Sequence, residues 1–161
     1  MVKPIPEGYH TIVPYLLVRN AAAAIDYYKK VFGAQEVDRF EMNGRIGHAD
    51  LIIGDSHLML ADEHPEMGYV GPQSLGGTTF GLALYVDNVD ELFQRAVDAG
   101  AKVDPGMELK DQFYGDRSGT VIDPFGHKWT LATHVEDVPP QELETRMKAF
   151  TQTAAKETQP A

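Results

Sequence analysis

His48 and Asp50 stand two apart in Arg45 to Ile53, an alternating run. His48, Asp50 and Ile52 fall on one face of the expected strand; Ala49, Leu51 and Ile53 fall on the other. An imidazole titrates near neutrality, so this pair could supply a general base or a ligand contact. It could equally be a hydrogen-bonded histidine on a solvated sheet face. The other histidines are His10, His57, His64, His127 and His134, and no pair has the i, i+4 spacing of helical zinc motifs. His57 and His127 follow turns at corresponding places and read as parts of those hairpins, while His10 reads as exposed. The chain has no cysteine, hence no thiolate ligand, disulfide or cysteine nucleophile.

A second polar set surrounds the turn Asp123-Pro124-Phe125-Gly126. Ser118, Thr120, Lys128 and Thr130 alternate with Val121, Trp129 and Leu131, so one face of this hairpin is polar and the other, with Trp129, is core. Tyr114, Asp116 and Arg117 precede it at the expected mouth of a pocket. Arg117 could clamp an anionic group or pair with Asp111 or Asp116. Gly115-Asp116-Arg117-Ser118-Gly119 is not a nucleophile elbow, because a strand rather than a helix follows. The glycines of 68–77 match neither a Walker loop nor a dinucleotide fingerprint.

The elements that must position these groups are legible from breakers and caps. A strand at 11–18 is disturbed by Pro14, and Asn20 caps a helix that Gly33 stops. Strands at 35–42 and 45–53 flank Asn43-Gly44, and 57–61 follows Gly54. Residues 63–77, rich in Pro and Gly, read as a linker or flexible lid. A strand at 79–86 and a helix at 89–99 come next, then a strand at 101–108 interrupted by Pro105-Gly106. After the last hairpin, 141–150 reads as a helix with Leu143, Met147 and Phe150 on one face, and the last ten residues as a frayed tail.

Composition narrows the function classes. With 24 acidic against 14 basic residues, net charge −10 and no basic run, nucleic acid and anionic membrane are excluded as expected partners. No apolar run approaches the roughly 18 residues of a membrane span, and the N-terminus lacks a signal-peptide core. The expected location is cytoplasmic.

The two halves repeat. Val18-Arg19-Asn20 before one helix is echoed by Val86-Asp87-Asn88 before the other, and 53–60 by 123–130. Each half reads β-α-β-β-β. With Ala24-Ile25-Asp26-Tyr27-Tyr28 ahead of Phe32-Gly33, and Gly119-Thr120-Val121-Ile122-Asp123-Pro124-Phe125-Gly126-His127 near the end, the chain resembles the vicinal oxygen chelate superfamily of glyoxalase I, bleomycin-resistance proteins and extradiol dioxygenases. The resemblance covers about 10–134 and implies an α+β fold. Two βαβββ modules (10–62 and 78–134) would form a cup-shaped curved sheet around a cavity, with 135–161 as C-terminal helix and tail. It also implies homodimers, and metal ligands at Val13, Met59, Gly81 and Thr130. None of these is a histidine or carboxylate, so no metal and no cofactor are expected.

The function expected is metal-independent binding of a small molecule, an antibiotic or metabolite. Its contacts would come from Tyr15, His48, Asp50, Met59, Tyr85, Tyr114, Arg117, Ser118, Thr120 and Thr130. A lyase, isomerase or dioxygenase with His48 and Asp50 as catalytic residues is the alternative, and a structural protein whose cavity Met59 and Tyr85 fill is a third.

Overall fold

The computed structural model describes residues 2–157. Its elements run β1 (Tyr15–Val18), α1 (Ala21–Phe32), β2 (Gln35–Met42), β3 (Arg45–Ile53), β4 (Ser56–Asp62), α2 (Pro72–Leu75), β5 (Gly81–Tyr85), α3 (Val89–Asp98), β6 (Lys102–Val103), β7 (Lys110–Asp111), β8 (Asp116–Ile122), β9 (Lys128–His134) and α4 (Pro140–Glu157). Two curved, unclosed sheets result. The first has the order β1-β4-β3-β2, the second β5-β9-β8-β6 with β7 also on β8. In each, the first strand lies parallel to the last and the remaining pairings are antiparallel.

Caps and turns explain the boundaries. The Asn20 side chain accepts from Ala23 N and that of Asn88 from Glu91 N, supplying partners for free amides at the starts of α1 and α3. Asn43 and Gly44, at φ 53° and 76°, give the two positive values that a tight two-residue hairpin requires. Of the expected strand 101–108 only β6 forms, ahead of Pro105-Gly106, and β7 lies beyond it at 110–111; both pair with β8. The first strand is shorter than expected, since 11–14 lie ahead of β1. The C-terminal helix is longer, reaching Glu157 and taking in residues read as tail; 158–161 fall outside the described residues.

Residues 63–77 are not an open linker. They hold a 3-10 turn (Pro65–Met67) and α2, and they pack on β1. Gly71 sits so close that a Cβ there would lie 2.3 Å from the Leu17 carbonyl oxygen. The His127 imidazole Nε2 lies 3.1 Å from the same oxygen and donates to it, since a carbonyl only accepts.

One core serves both modules. Leu16, Val18, Leu51, Leu60, Val121 and Leu131 point to the helix side of their sheets and are buried. Tyr28 and Phe32 of α1 meet Trp129 of β9, with ring centroids 5.5 and 4.4 Å apart. Asp123 ties the junction together. Its carboxylate accepts from the Tyr28 hydroxyl (2.7 Å), the Trp129 indole (2.9 Å) and the amides of Phe125 and His127 (both 2.9 Å). A buried carboxylate with four donors has the partners that burial demands. Among the described residues, no helix is long and apolar enough to cross a membrane.

Candidate functional site

Strand parity puts the candidate side chains on the faces turned away from the helices. On the first sheet, Tyr15 pairs in register with Met59, and Met59 with Asp50. Tyr15, His48, Asp50 and Met59 therefore share one open face with Leu17, Ile52, His57 and Ala61. The Tyr15 hydroxyl lies 3.1 Å from His48 Nδ1, and His48 Nε2 lies 3.9 Å from an Asp38 carboxylate oxygen. Burial raises the Tyr15 phenol above its ordinary value. His48 and Asp50 do not bond to each other. Asp50 is fully buried and pairs with His57, whose Nδ1 is 2.8 Å from its carboxylate. This is a diagonal contact between neighbouring strands. Tyr9, from the segment ahead of β1, also donates its hydroxyl to Asp50.

Beside this polar group lies a hollow of about 590 Å³, walled by Tyr15, Leu17, Met42, Ala61, Met67 and Tyr69 among others. Met42, Met67 and Tyr69 are all more than half exposed, an unusual outlay of large apolar surface around one depression. The Asp62 carboxylate at its edge accepts from the amides of Ala21 and Ile46 (2.7 Å each), which fixes its orientation.

The second sheet carries the other candidates. Thr120 and Thr130 are register partners with hydroxyls 2.9 Å apart, and the Tyr114 hydroxyl lies 3.4 Å from that of Ser118. Tyr85 donates to Asp116 (2.7 Å), and His134 Nδ1 lies 2.7 Å from the other oxygen of the same carboxylate. Burial opposes the charge on Asp116, yet hydrogen bonds from His134 and Tyr85 hold its carboxyl below the usual range. Hydrogen bonding to Asp116 in turn raises the Tyr85 phenol. Arg117 is the exception. Its guanidinium binds Asp90 (2.6 and 2.8 Å) and Asp111 (3.1 Å), bracing β8 to α3 and β7, so it stands apart from the other candidates and is no free anion clamp. The ion pair expected with Asp111 is present; Asp116 is engaged by Tyr85 and His134 instead.

The structure thus sorts the candidates into two groups on two open faces, and the apolar hollow belongs to the first module. Sequence reasoning passed over Tyr9 and read His57 as part of its hairpin. His57 shares parity with Met59, which was a usable signal; nothing local marks Tyr9, whose partner Asp50 is 41 residues away.

At the four positions where the resemblance implies metal ligands, no side chain is an imidazole or a carboxylate. Val13 and Gly81 offer no donor, Met59 offers a thioether, and the neutral Thr130 hydroxyl is bonded to Thr120. Zinc- or nickel-type ions take imidazole and carboxylate ligands. Among the described residues no cluster of three His, Asp or Glu side chains has the geometry to hold an ion elsewhere.

Comparison with known proteins agrees with this architecture. The uncharacterised protein Rv0887c of Mycobacterium tuberculosis is 44% identical over 140 residues, which span 84% of this chain and 81% of that one. The crystal structure of TioX from Micromonospora sp. ML1 superposes with TM-score 0.60 at 30% identity, covering 78% of this chain and 99% of TioX. A bleomycin resistance determinant encoded on the transposon Tn5 shares the fold, with TM-score 0.56 and 21% identity over 78% of this chain and 98% of its own. A family sequence model matches residues 9–131. The chain belongs to the Glyoxalase/Bleomycin resistance protein/Dioxygenase superfamily.

Proposed function

We propose that the chain is a metal-independent small-molecule binding protein of the bleomycin-resistance kind, which takes a flat, largely apolar ligand in the hollow on the first sheet. The observation that carries this reading is the hollow itself, with Tyr15, Met42, Met67 and Tyr69 presented to solvent around about 590 Å³. That volume suits a drug-sized molecule, and methionine and aromatic side chains adapt to such surfaces at low cost. The net charge of −10 favours a cationic ligand through long-range attraction. The ligand positions of metal-dependent relatives carry no suitable donors here, which supports a site that works without an ion.

The same reading places the protein in the cytoplasm as a homodimer. Tyr85 and Phe80 leave much of their rings exposed beside β5, and Met147 and Phe150 are half exposed on α4. Sedimentation equilibrium giving the mass of one chain at micromolar concentration would remove the dimer from this account.

The test is a thermal-shift screen with planar cationic aromatic compounds, on wild type and on Met67→Glu and Tyr15→Ala. Met67 is largely exposed and Tyr15 about half exposed, so the variants are expected to fold. A compound that stabilises wild type but neither variant supports the reading. Stabilisation unaffected by either substitution places binding elsewhere and overturns it.

The enzymatic alternative around His48 and Asp50 is less well supported. Asp50 is sealed under Tyr9 and His57, and His48 faces Tyr15 and Asp38 rather than Asp50.

A further inference from the structure

Ahead of β1, residues 2–8 and 10–12 are exposed, while Tyr9 is turned inward and half-buried. Its ring stacks on the His57 imidazole with centroids 3.7 Å apart and planes 15° from parallel. Its hydroxyl donates to Asp50, and His57 Nδ1 holds the same carboxylate at 2.8 Å. The carboxylate and imidazole belong to β3 and β4, so the platform is built into the sheet. The phenol alone comes from the arm. Over residues 2–11 the only other polar side-chain contact described with the β3–β4 hairpin is His10 to Asp55 in its turn at 3.7 Å, between exposed groups. Asp50, with no exposure of its own, needs a donor in the Tyr9 position. Any donor attached to a flat ring that can lie on His57 would serve.

We propose that Asp50 and His57 form a recognition site for phenolic rings, and that Tyr9 is a tethered occupant which a free phenol displaces. This goes beyond the hollow at Met42 and Met67 and does not depend on it. The stacked imidazole selects a planar ring and the carboxylate selects an O–H donor. Hydrogen bonding to Asp50, with burial and the charges of Asp50 and Asp38, pushes the Tyr9 phenol up to about 12, so the occupant keeps the proton that it donates. A tethered occupant acts at high effective concentration, so the intact chain shows only a fraction of the affinity of the vacant site.

The experiment titrates p-cresol and 4-methylanisole, which keeps the ring but lacks the O–H, into the full-length wild type, Tyr9→Ala and Tyr9→Ala/Asp50→Asn, read by amide NMR shifts. Expected is at least tenfold tighter binding of p-cresol to Tyr9→Ala than to wild type. No such gain is expected for 4-methylanisole or in the double variant, and shifts should centre on residues 48–59. In wild type, p-cresol should also shift the amides of residues 7–11 as the arm leaves. Should Tyr9→Ala not fold, Tyr9→Phe, which keeps the ring and loses the donor, should still bind p-cresol more tightly than wild type. Equal p-cresol affinity with and without the Tyr9 hydroxyl, an equal gain for 4-methylanisole, or shifts confined to residues 61–69 would overturn the proposal. Met67→Glu in the Tyr9→Ala background separates the two sites, because it should abolish ligands of the hollow and leave the p-cresol gain intact.

Discussion

Removing the Asp123 carboxylate should be among the most damaging single changes outside the apolar core. In Asp123→Ala the Tyr28 hydroxyl and the Trp129 indole lose their acceptor, and these residues are 0% and 2% exposed, so water does not reach them readily. A buried donor left without a partner costs about 1–3 kcal/mol, so the two together cost about 2–6 kcal/mol. The amides of Phe125 and His127 lose the same acceptor, which loosens the turn that sets the β8–β9 register. Set against a total stability of about 5–15 kcal/mol for a domain of this kind, the variant should be severely weakened or unfolded. Tyr28→Phe is the control, because Asp123 then keeps three of its four donors and the loss should be about 1.5–3 kcal/mol. Trp129 is the only tryptophan, so its fluorescence reports urea unfolding directly. In a double-mutant cycle, Asp123→Ala should cost less in the Tyr28→Phe background than in wild type. A loss below about 1 kcal/mol for Asp123→Ala, or strict additivity in the cycle, would refute the account of the junction.

Gly71→Ala should destabilise by about 1–3 kcal/mol in urea, because the new Cβ meets backbone at Leu17 that cannot rotate away; a neutral result would mean that 63–77 does not pack on β1. His134 and Asp116 predict a pH dependence of opposite sign on either side of neutrality. His134, raised above its ordinary 6.5 chiefly by its hydrogen bond to Asp116 and then by Asp137, contributes stability that is complete below that value and is lost as pH rises through the folded value. Asp116, lowered from 3.8, contributes above that value and loses its contribution as pH falls through the lower folded one. Melting temperature followed with pH should therefore decline on the alkaline side in wild type and less so in His134→Asn, and identical profiles would contradict the contact.

Much of this fold is written locally. Asn20 and Asn88 announce their helices, Asn43-Gly44 its hairpin, and the echo of 53–60 in 123–130 the paired modules. The alternation of His48, Asp50 and Ile52 also put these three on one face of β3, as found. Failures came where a distant partner decides the outcome. Proline and glycine at 63–77 signal irregular backbone, but only β1 makes that backbone a packed edge. For Arg117 the sequence offered an anion clamp or a pair with Asp111 or Asp116; the pair with Asp111 is there, but Asp90, 27 residues away and brought to it by α3, was not legible. His57 looked like a turn residue because its acceptor is one strand over and its stacking partner, Tyr9, lies in an arm without periodic pattern. The C-terminal helix outran its apolar stripe, running past Phe150 to Glu157, and no apolar period in 151–157 announces that extension.

Ligand-detected amide NMR on protein stripped with EDTA tests the central claim most directly. With a compound taken from the thermal-shift screen, the account predicts saturable shifts at Tyr15, Leu17, Met42, Met67 and Tyr69, unchanged when Zn²⁺ or Ni²⁺ is restored. Binding that vanishes with EDTA and returns with the ion, or shifts that leave these residues untouched, would contradict it.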